Sequence, residues 1–478
     1  MQAAASLAIV WVSALAAAGV PTDAAPPAAS TSTSPPAPTP PAAVVVAVDD
    51  PMLTPVAPAS TELTSWAQAR ALLAQGSANL RVAATEVDRA QGRWRQSLSA
   101  LLPSVTATGG VGYDVLAPAS PVPVVALGSG LSALSAGSGV TPTSPLASAA
   151  VGLRQSVVDL SSWSALEAAG GGVDVEHARA DDVERRVLQG LAGAIVAVAT
   201  SERVSELARL GLRQALERAA MTRRLVEIGA ATDLDMVRVH QDVAVARTAL
   251  TTSDEQLRGT REALGALLGM DRPVGVAPQL SIEGIIASAA EQCRRLDDVA
   301  TRADVRAARA QQVAAEAARR EAWNGYLPAL DVTSSLGALT TDPLPGRFAT
   351  WTIAAIVSVP VWEGGFREGL WQERAAAETQ ARVAAEEARR VAVLEAERAE
   401  SAARAAEVVV TSAREAHALA TELDRLTRRS FEMGRADSLD LVQSAVVLRQ
   451  AQIELAIREA AWVRARLDAF FVQAGCSS

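Results

Sequence analysis

Side chains able to break bonds are few in this sequence and stand apart from one another. The three histidines, His177, His240 and His417, sit in no HExxH or nucleophile-elbow pattern and read as polar helix-surface residues. The two cysteines, Cys293 and Cys476, are distant and outside any CxxC spacing, so neither a disulfide framework nor a zinc site is expected. No acid–base pair, nucleophile or ligand cluster emerges, which argues against an enzyme and implies no cofactor and no bound metal. The acids that draw the eye are Asp235 and Asp440, each six residues past a glycine, Gly229 or Gly434. Both fall in the first turns of a helix, where the dipole favours a carboxylate by ~0.3–1 kcal/mol at a surface. Their chemistry is electrostatic.

These acids belong to a stretch that the chain contains twice. Thr222, Arg223, Arg224, Glu227, Gly229, Leu234, Asp235, Val237, Ala246, Leu250 and Arg261 recur 205 positions on (434 − 229 = 205). They return as Thr427, Arg428, Arg429, Glu432, Gly434, Leu439, Asp440, Val442, Ala451, Leu455 and Arg466. Leu102-Pro103, Thr108 and Gly112 recur as Leu327-Pro328, Thr333 and Gly337, offset by 225 (327 − 102 = 225). The Pro/Ser/Gly-rich segment 116–146 has 31 residues against 10 in its counterpart 340–349, which absorbs nearly all of the difference. The chain reads as a duplicated unit with one long inserted loop.

The wider composition narrows the class. All 44 basic residues are Arg, the net charge is −9 and aromatics are 3%. A nucleic-acid binder needs a basic face, so no nucleic acid is expected as a partner. Leu7 to Leu15 form an apolar run followed by Ala16-Ala17-Ala18, a secretory-signal pattern too short to span a bilayer. Residues 19–61 are Pro/Ala/Ser/Thr-rich and read as an extended tether. The expected organisation is a signal peptide over 1–18, a linker over 19–61, a first repeat over 62–272 and a second over 273–478.

Thr64 is the expected cap of a helical pattern that runs to Leu102, where Pro103 ends it. The period then changes. In Ser104–Tyr113, Val105, Ala107, Val111 and Tyr113 share one face, and Thr106, Thr108, Gly110 and Gly112 the other. Val151, Leu153 and Val157, then Leu330, Val332 and Leu336, then Trp351, Ile353, Val357 and Val359 alternate in the same way. Four strands result, arranged as two hairpins, each strand roughly ten residues long, the length of a tilted membrane strand. Proline is absent over 160–272 and 361–478, so long helices are expected over about 173–227, 234–268 and 366–428. Gly229 and Gly434 break them in left-handed caps, with Thr232 or Ser438 capping the returning helix.

Duplicated strand hairpins joined to very long helices behind a signal segment resemble the TolC-like outer-membrane efflux proteins. The residues that carry the resemblance include Ala100-Leu101-Leu102-Pro103, Gly325-Tyr326-Leu327-Pro328 and Val359-Pro360-Val361-Trp362-Glu363-Gly364-Gly365. Tip motifs from Glu227-Ile228-Gly229 to Leu234-Asp235, and from Glu432-Met433-Gly434 to Leu439-Asp440, complete the set. The sequence departs from the pattern at Val157-Val158-Asp159-Leu160, which lacks the glycine pair, and at Gly170-Gly171-Gly172, which interrupts a helix.

The resemblance implies a mixed α/β membrane protein in which each unit pairs a β-hairpin with a long antiparallel helical hairpin. Three chains would form one twelve-stranded barrel in the outer membrane lipid and a helical tunnel through the periplasm. It further implies an exit duct of a tripartite efflux or type I secretion system, working with a periplasmic adaptor protein and an inner-membrane pump. Asp440, Gln443 and Asp235 would then be the pore constriction, and Gly229, Gly434 and Arg435 the adaptor contact. Arg223, Arg224, Arg428, Arg429 and Arg435 are candidates for ion pairs at the tips, and Tyr113, Trp351 and Trp362 for the membrane interface. The loop 116–146 is expected outside the cell. A periplasmic coiled-coil scaffold without channel activity is the rival reading, which leaves four lipid-length strands unexplained.

Overall fold

Helix starts and stops in this chain follow local side-chain chemistry closely. The computed structural model describes residues 49–113, 141–142, 146–277, 284, 287–288, 293–296, 298–342 and 349–476. The expected signal segment, most of the expected linker and most of the loop 116–146 lie outside them. Residues Pro51–Leu53 form a 3-10 turn, followed by β1 (Thr61–Leu63), α1 (Trp66–Gly76) and α2 (Ala78–Ser99). Next come β2 (Ser104–Gly112), β3 (Thr141–Pro142), β4 (Leu146–Val158), α3 (Leu160–Glu227) and α4 (Asp233–Leu267). Short strands β5 (Val274–Val276) and β6 (Cys293–Arg295) precede α5 (Ala303–Asn324), β7 (Ala329–Leu339), β8 (Thr341–Asp342) and β9 (Ala349–Ser358). Helices α6 (Phe366–Glu432) and α7 (Ser438–Val472) and strand β10 (Ala474–Cys476) complete the described chain. The order helix, hairpin, long helix and returning helix thus occurs twice.

The first helical stretch differs from the one read in the sequence at its start and in its middle. Ser65, not Thr64, caps α1 by accepting the Gln68 amide, while the Thr64 amide donates to the Gln68 side chain. The pattern read as one helix to Leu102 breaks at Ser77. There Gly76 abuts a neighbouring turn so closely that a Cβ on it would lie 1.9 Å from the Leu268 carbonyl oxygen.

Helix α3 begins at Leu160, earlier than the expected 173, and its 68 residues run for about 100 Å. It passes straight through Gly170-Gly171-Gly172. A Cβ at Gly171 would lie 3.0 Å from the Ala314 Cβ of α5, and one at Gly170 would lie 3.8 Å from the Trp94 ring of α2. Glycine here serves close helix packing. α3 packs against α2, α4, α5 and α7, and α6 packs against α5 and α7. The α3–α4 seam buries Ala208, Leu212, Ala215 and Ala219 against Val239, Val243, Ala246 and Leu250. Both sets are spaced four, three and four residues, the repeat of coiled-coil packing.

The main core lies where the short strands meet the helices. Leu63, Trp66, Leu73, Leu191, Ile195, Leu264, Leu467 and Phe471 are buried together there. Fully burying each such side chain is worth about 1.5–3 kcal/mol. β1 pairs parallel with β5, and β6 pairs antiparallel with β10. The end of the stretch expected to be a tether is fastened down. Asp50 pairs with Arg247 at 2.9 Å, Arg261 donates to the Ala57 carbonyl, and Met52 and Leu53 pack on the α3–α4 seam. The expectation of no disulfide is also corrected: Cys293 is disulfide-bonded. Its separation from the other cysteine in sequence says nothing of separation in space, because β6 and β10 pair Cys293 with Cys476.

The α3–α5 contact yields a test. Gly171→Leu is expected to force the two helices apart at Ala314 and to destabilise the protein by roughly 1–3 kcal/mol. Thermal unfolding of the purified protein measures this, and Ala314→Gly in the same chain is expected to recover part of the loss.

Candidate functional site

Four strands form one antiparallel sheet in the order β2-β4-β7-β9. Their lengths of 9, 13, 11 and 10 residues match what a tilted membrane strand requires. The register sorts the side chains into two faces. One row reads Thr106, Gly152, Ser335 and Thr352, and the next Thr108, Ala150, Gly337 and Thr350. The alternate rows read Val105, Leu153, Ser334 and Ile353, then Ala107, Val151, Leu336 and Trp351. One face is therefore small and polar and the other largely apolar. The polar face carries the ion pair Arg154–Asp331 at 2.7 Å and a Ser335–Thr352 hydroxyl bond at 2.7 Å. Among the described residues β2 and β9 each have one neighbour only, so each leaves an open edge.

The strand-to-helix junctions are built differently in the two halves. After β4, Asp159 caps α3, its carboxylate accepting the amides and hydroxyls of Ser161 and Ser162. After β9, Gly364 and Gly365 turn the chain with φ of 66° and 85°, a left-handed conformation that glycine alone adopts freely. The missing glycine pair in the first half is thus replaced by a cap. Tyr113 follows the last residue of β2 and Trp351 is the third residue of β9, so both mark the loop end of the sheet, where the Trp351 indole donates to Ser334 at 3.0 Å. Trp362 marks the helix end. Sequence reasoning missed the aromatics that join it there: Trp163, Trp323 and Phe366 are exposed, each at or near the helix terminus next to a strand–helix junction. Their signal is position, within a few residues of each junction.

At the opposite ends of the long helices, Gly229 and Gly434 close both turns with φ of 74° and 70°. The Ala230 amide donates to the Leu225 carbonyl and the Arg435 amide to the Ser430 carbonyl, the six-to-one bond of a Schellman cap. Thr232 caps α4 as expected, but Asp437 and not Ser438 caps α7. Ser438 is the first helical residue, which frees its hydroxyl to donate across to Asp235. Asp235 and Asp440 each complete a capping box, with Thr232 and Asp437 respectively. Asp235 is half-buried and pairs with Arg238 at 3.5 Å, whereas Asp440 and Gln443 are exposed one turn apart on α7. The Ser438 and Thr232 hydroxyls and the Thr232 amide hold the Asp235 carboxyl at about 2. Of the tip arginines, Arg428 pairs within its own helix with Asp424 at 2.7 Å. Arg223, Arg224, Arg429 and Arg435 form no ion pair among the described residues.

A contact invisible in the sequence lies further along the helices. Asp242 of α4 is buried and bonded at 2.6 Å to Arg218 of α3 and at 2.6 Å to Arg449 of α7. Arg449 reaches it by crossing α3 at Gly211, where a Cβ would lie 2.5 Å from its Cδ. One carboxylate thus ties α7 to the α3–α4 pair.

Residues 70–270 match the family model described as outer membrane efflux protein. No curated protein sequence matches the chain. Among solved structures, the chain is similar to the outer membrane protein VceC of Vibrio cholerae at 16% identity and a TM-score of 0.69, covering 86% of this chain and 97% of that one. CusC aligns at 14% identity and a TM-score of 0.73, covering 90% and 99%. The Campylobacter jejuni CmeC outer membrane channel aligns at 13% and 0.71, covering 90% and 93%. At such identities the likeness is one of fold.

Two outcomes follow from the tip geometry and the buried carboxylate. The folded-state pKa of Asp235 is depressed, so its stabilisation is full above its ordinary value of 3.8 and is lost as pH falls through about 2. Wild type and Asp235→Asn are therefore expected to differ in thermal stability equally at pH 7 and pH 5, and to converge in strong acid. Asp242→Ala leaves two guanidiniums buried without a carboxylate and is expected to cost roughly 3–5 kcal/mol in denaturant titration. Replacing Arg218, Asp242 and Arg449 together by Met, Leu and Leu is expected to restore most of that loss.

Proposed function

We propose that this chain is a TolC-like outer-membrane efflux protein and the exit duct of a tripartite efflux or type I secretion system, a reading supported by the family model matched over residues 70–270 and by the fold. The observation that carries the reading is the four-stranded sheet with one apolar face and two open edges. Backbone groups at those edges find no water in lipid, so further copies must close the sheet. A homotrimer of the duplicated unit supplies twelve strands, with the apolar face to lipid and the small polar face to the lumen. Tyr113 and Trp351 then stand at the outer interface of the Gram-negative outer membrane and Trp362 at the periplasmic one. Residues 1–18 are removed on export and 19–61 begin the mature chain, ahead of repeats over 62–272 and 273–478.

The helices extend into the periplasm, and cargo passes down its gradient without chemistry in the duct. The tips at Gly229, Gly434 and Arg435 face a periplasmic adaptor protein, which links the duct to an inner-membrane pump. Exposed Ile228, Leu234 and Met433 give that end apolar surface for such a contact. Threefold symmetry repeats Asp440 around the axis as a ring of carboxylates, with Gln443 one turn on and Asp235 behind it. An acidic ring attracts cations and repels anions. Asp440 is the stronger member because Asp235 is already engaged by Ser438 and Arg238.

Planar-bilayer conductance of the purified trimer tests this. Asp440→Asn is expected to reduce cation selectivity and multivalent-cation block, and Gln443→Asp to deepen the block. If Asp440→Asn changes neither, Asp440 serves only the start of α7.

A further inference from the structure

Nothing in the passage of cargo through a duct calls for the disulfide at Cys293. That residue is 3% exposed, in the main core beside Leu467 and Phe471. The sequence holds one further cysteine, Cys476, and the register of β6 with β10 sets the two directly opposite. Each of these strands has three residues, and so short a ribbon is marginal by its own hydrogen bonds. Polar contacts reinforce it: the Leu296 amide donates to the Gln473 carbonyl at 2.8 Å, and Arg295 donates to the Gln473 side chain at 2.6 Å. Gln473 in turn donates to Glu400 of α6 at 2.7 Å. A bond between 293 and 476 closes a span of 183 positions (476 − 293 = 183). That span holds α5, β7, β9, α6 and α7. Cross-linking so long a loop removes much of the freedom of the unfolded chain.

We infer that Cys293 and Cys476 are an oxidative maturation site, and that the chain is a substrate of a dithiol-oxidising, disulfide-exchange protein in the compartment to which it is exported. One cysteine thiolate attacks a sulfur of the oxidant's disulfide, which forms a mixed disulfide and releases one oxidant thiolate. The second cysteine thiolate attacks the chain's own sulfur in that mixed disulfide and releases the other oxidant thiolate. The two cysteines give up two electrons and two protons, and the oxidant's disulfide takes up both pairs as a dithiol. The burial of Cys293 sets the order of events: exchange precedes closure of the core around it, and the finished bond is shielded from soluble reductants. The bond then fixes the end of α7 to the segment ahead of α5, so the second half of the chain enters assembly as a closed loop.

The inference rests on export to an oxidising compartment, which the proposed function includes, and not on conduction. The test uses the full chain in outer-membrane fractions from acid-quenched cells, with a polyethylene-glycol maleimide as probe. Wild type is expected to take no label until denatured and reduced, and then two labels per chain. In cells lacking the periplasmic dithiol oxidase both thiols are expected to label and trimer yield to fall several-fold. A small-molecule disulfide in the medium restores it. The Cys293→Ser, Cys476→Ser double variant is expected to give the same reduced yield with or without the oxidase. Free thiols in assembled wild type, or a double variant that assembles to the wild-type level and heat stability, would overturn the inference. Protein that carries the bond yet conducts no ions supports it while removing the duct reading.

Discussion

A backbone amide placed in hydrocarbon has no water to bond, and each unsatisfied group there costs several kcal/mol. In the proposed duct the constraint falls on β2 and β9, the two strands with a single neighbour among the described residues. Much else in the sheet serves it. The alternation of apolar and small polar residues keeps one face fit for lipid. In that duct the length of each strand matches the thickness to be crossed, and the rows of Gly, Ala, Ser and Thr on the other face would fill little of the space enclosed by a closed sheet. In the proposed trimer a four-stranded sheet is a fraction of a closed structure, and closure would tie the worth of each strand to the presence of other copies.

Such closure would also require each strand to enter the helical part at a fixed angle, and the two halves build that junction by different physics. Asp159 sits in extended conformation and binds the start of α3 through four hydrogen bonds. Gly364 and Gly365 have no side chain to bind anything, but they reach a turn closed to other residues. The glycine turn is held from outside, by Arg367 donating to the Gly325 carbonyl and pairing with Glu363. A cap fixes direction through the side chain; a glycine pair leaves direction to its surroundings.

Periodicity made the strands and long helices legible, because a period of two and the absence of proline are properties of neighbouring residues. Contacts between distant residues were not legible. Cys293 and Cys476 looked unrelated because β6 and β10 are too short to show a strand pattern. The glycines at 170–172 looked like an interruption because the reason for Gly171 is Ala314, on another helix. Among the site residues, both tip glycines and the cap at Thr232 followed from local chemistry. The displacement of the α7 cap to Asp437 turns on Ser438 bonding Asp235, a partner more than two hundred residues away.

The buried carboxylate shows the same limit most clearly. Arg218, Asp242 and Arg449 are three charges among many on charged helices, and no spacing sets them apart. What joins them is that α3 and α4 already hold one another through a heptad seam of Ala, Leu and Val. Such a seam is not directional and tolerates sliding by a whole heptad. α7 meets this pair near the tips through Arg449 on Asp242 and Ser438 on Asp235, contacts with one geometry each. A buried ion pair is weak evidence of stability, since desolvation offsets much of its attraction. Its effect here is on register: Arg449 passes only where Gly211 leaves room, so α7 has one position along α3 at which the charge is satisfied. The apolar seam holds the first helical hairpin together, and the polar contacts decide where the second one stops.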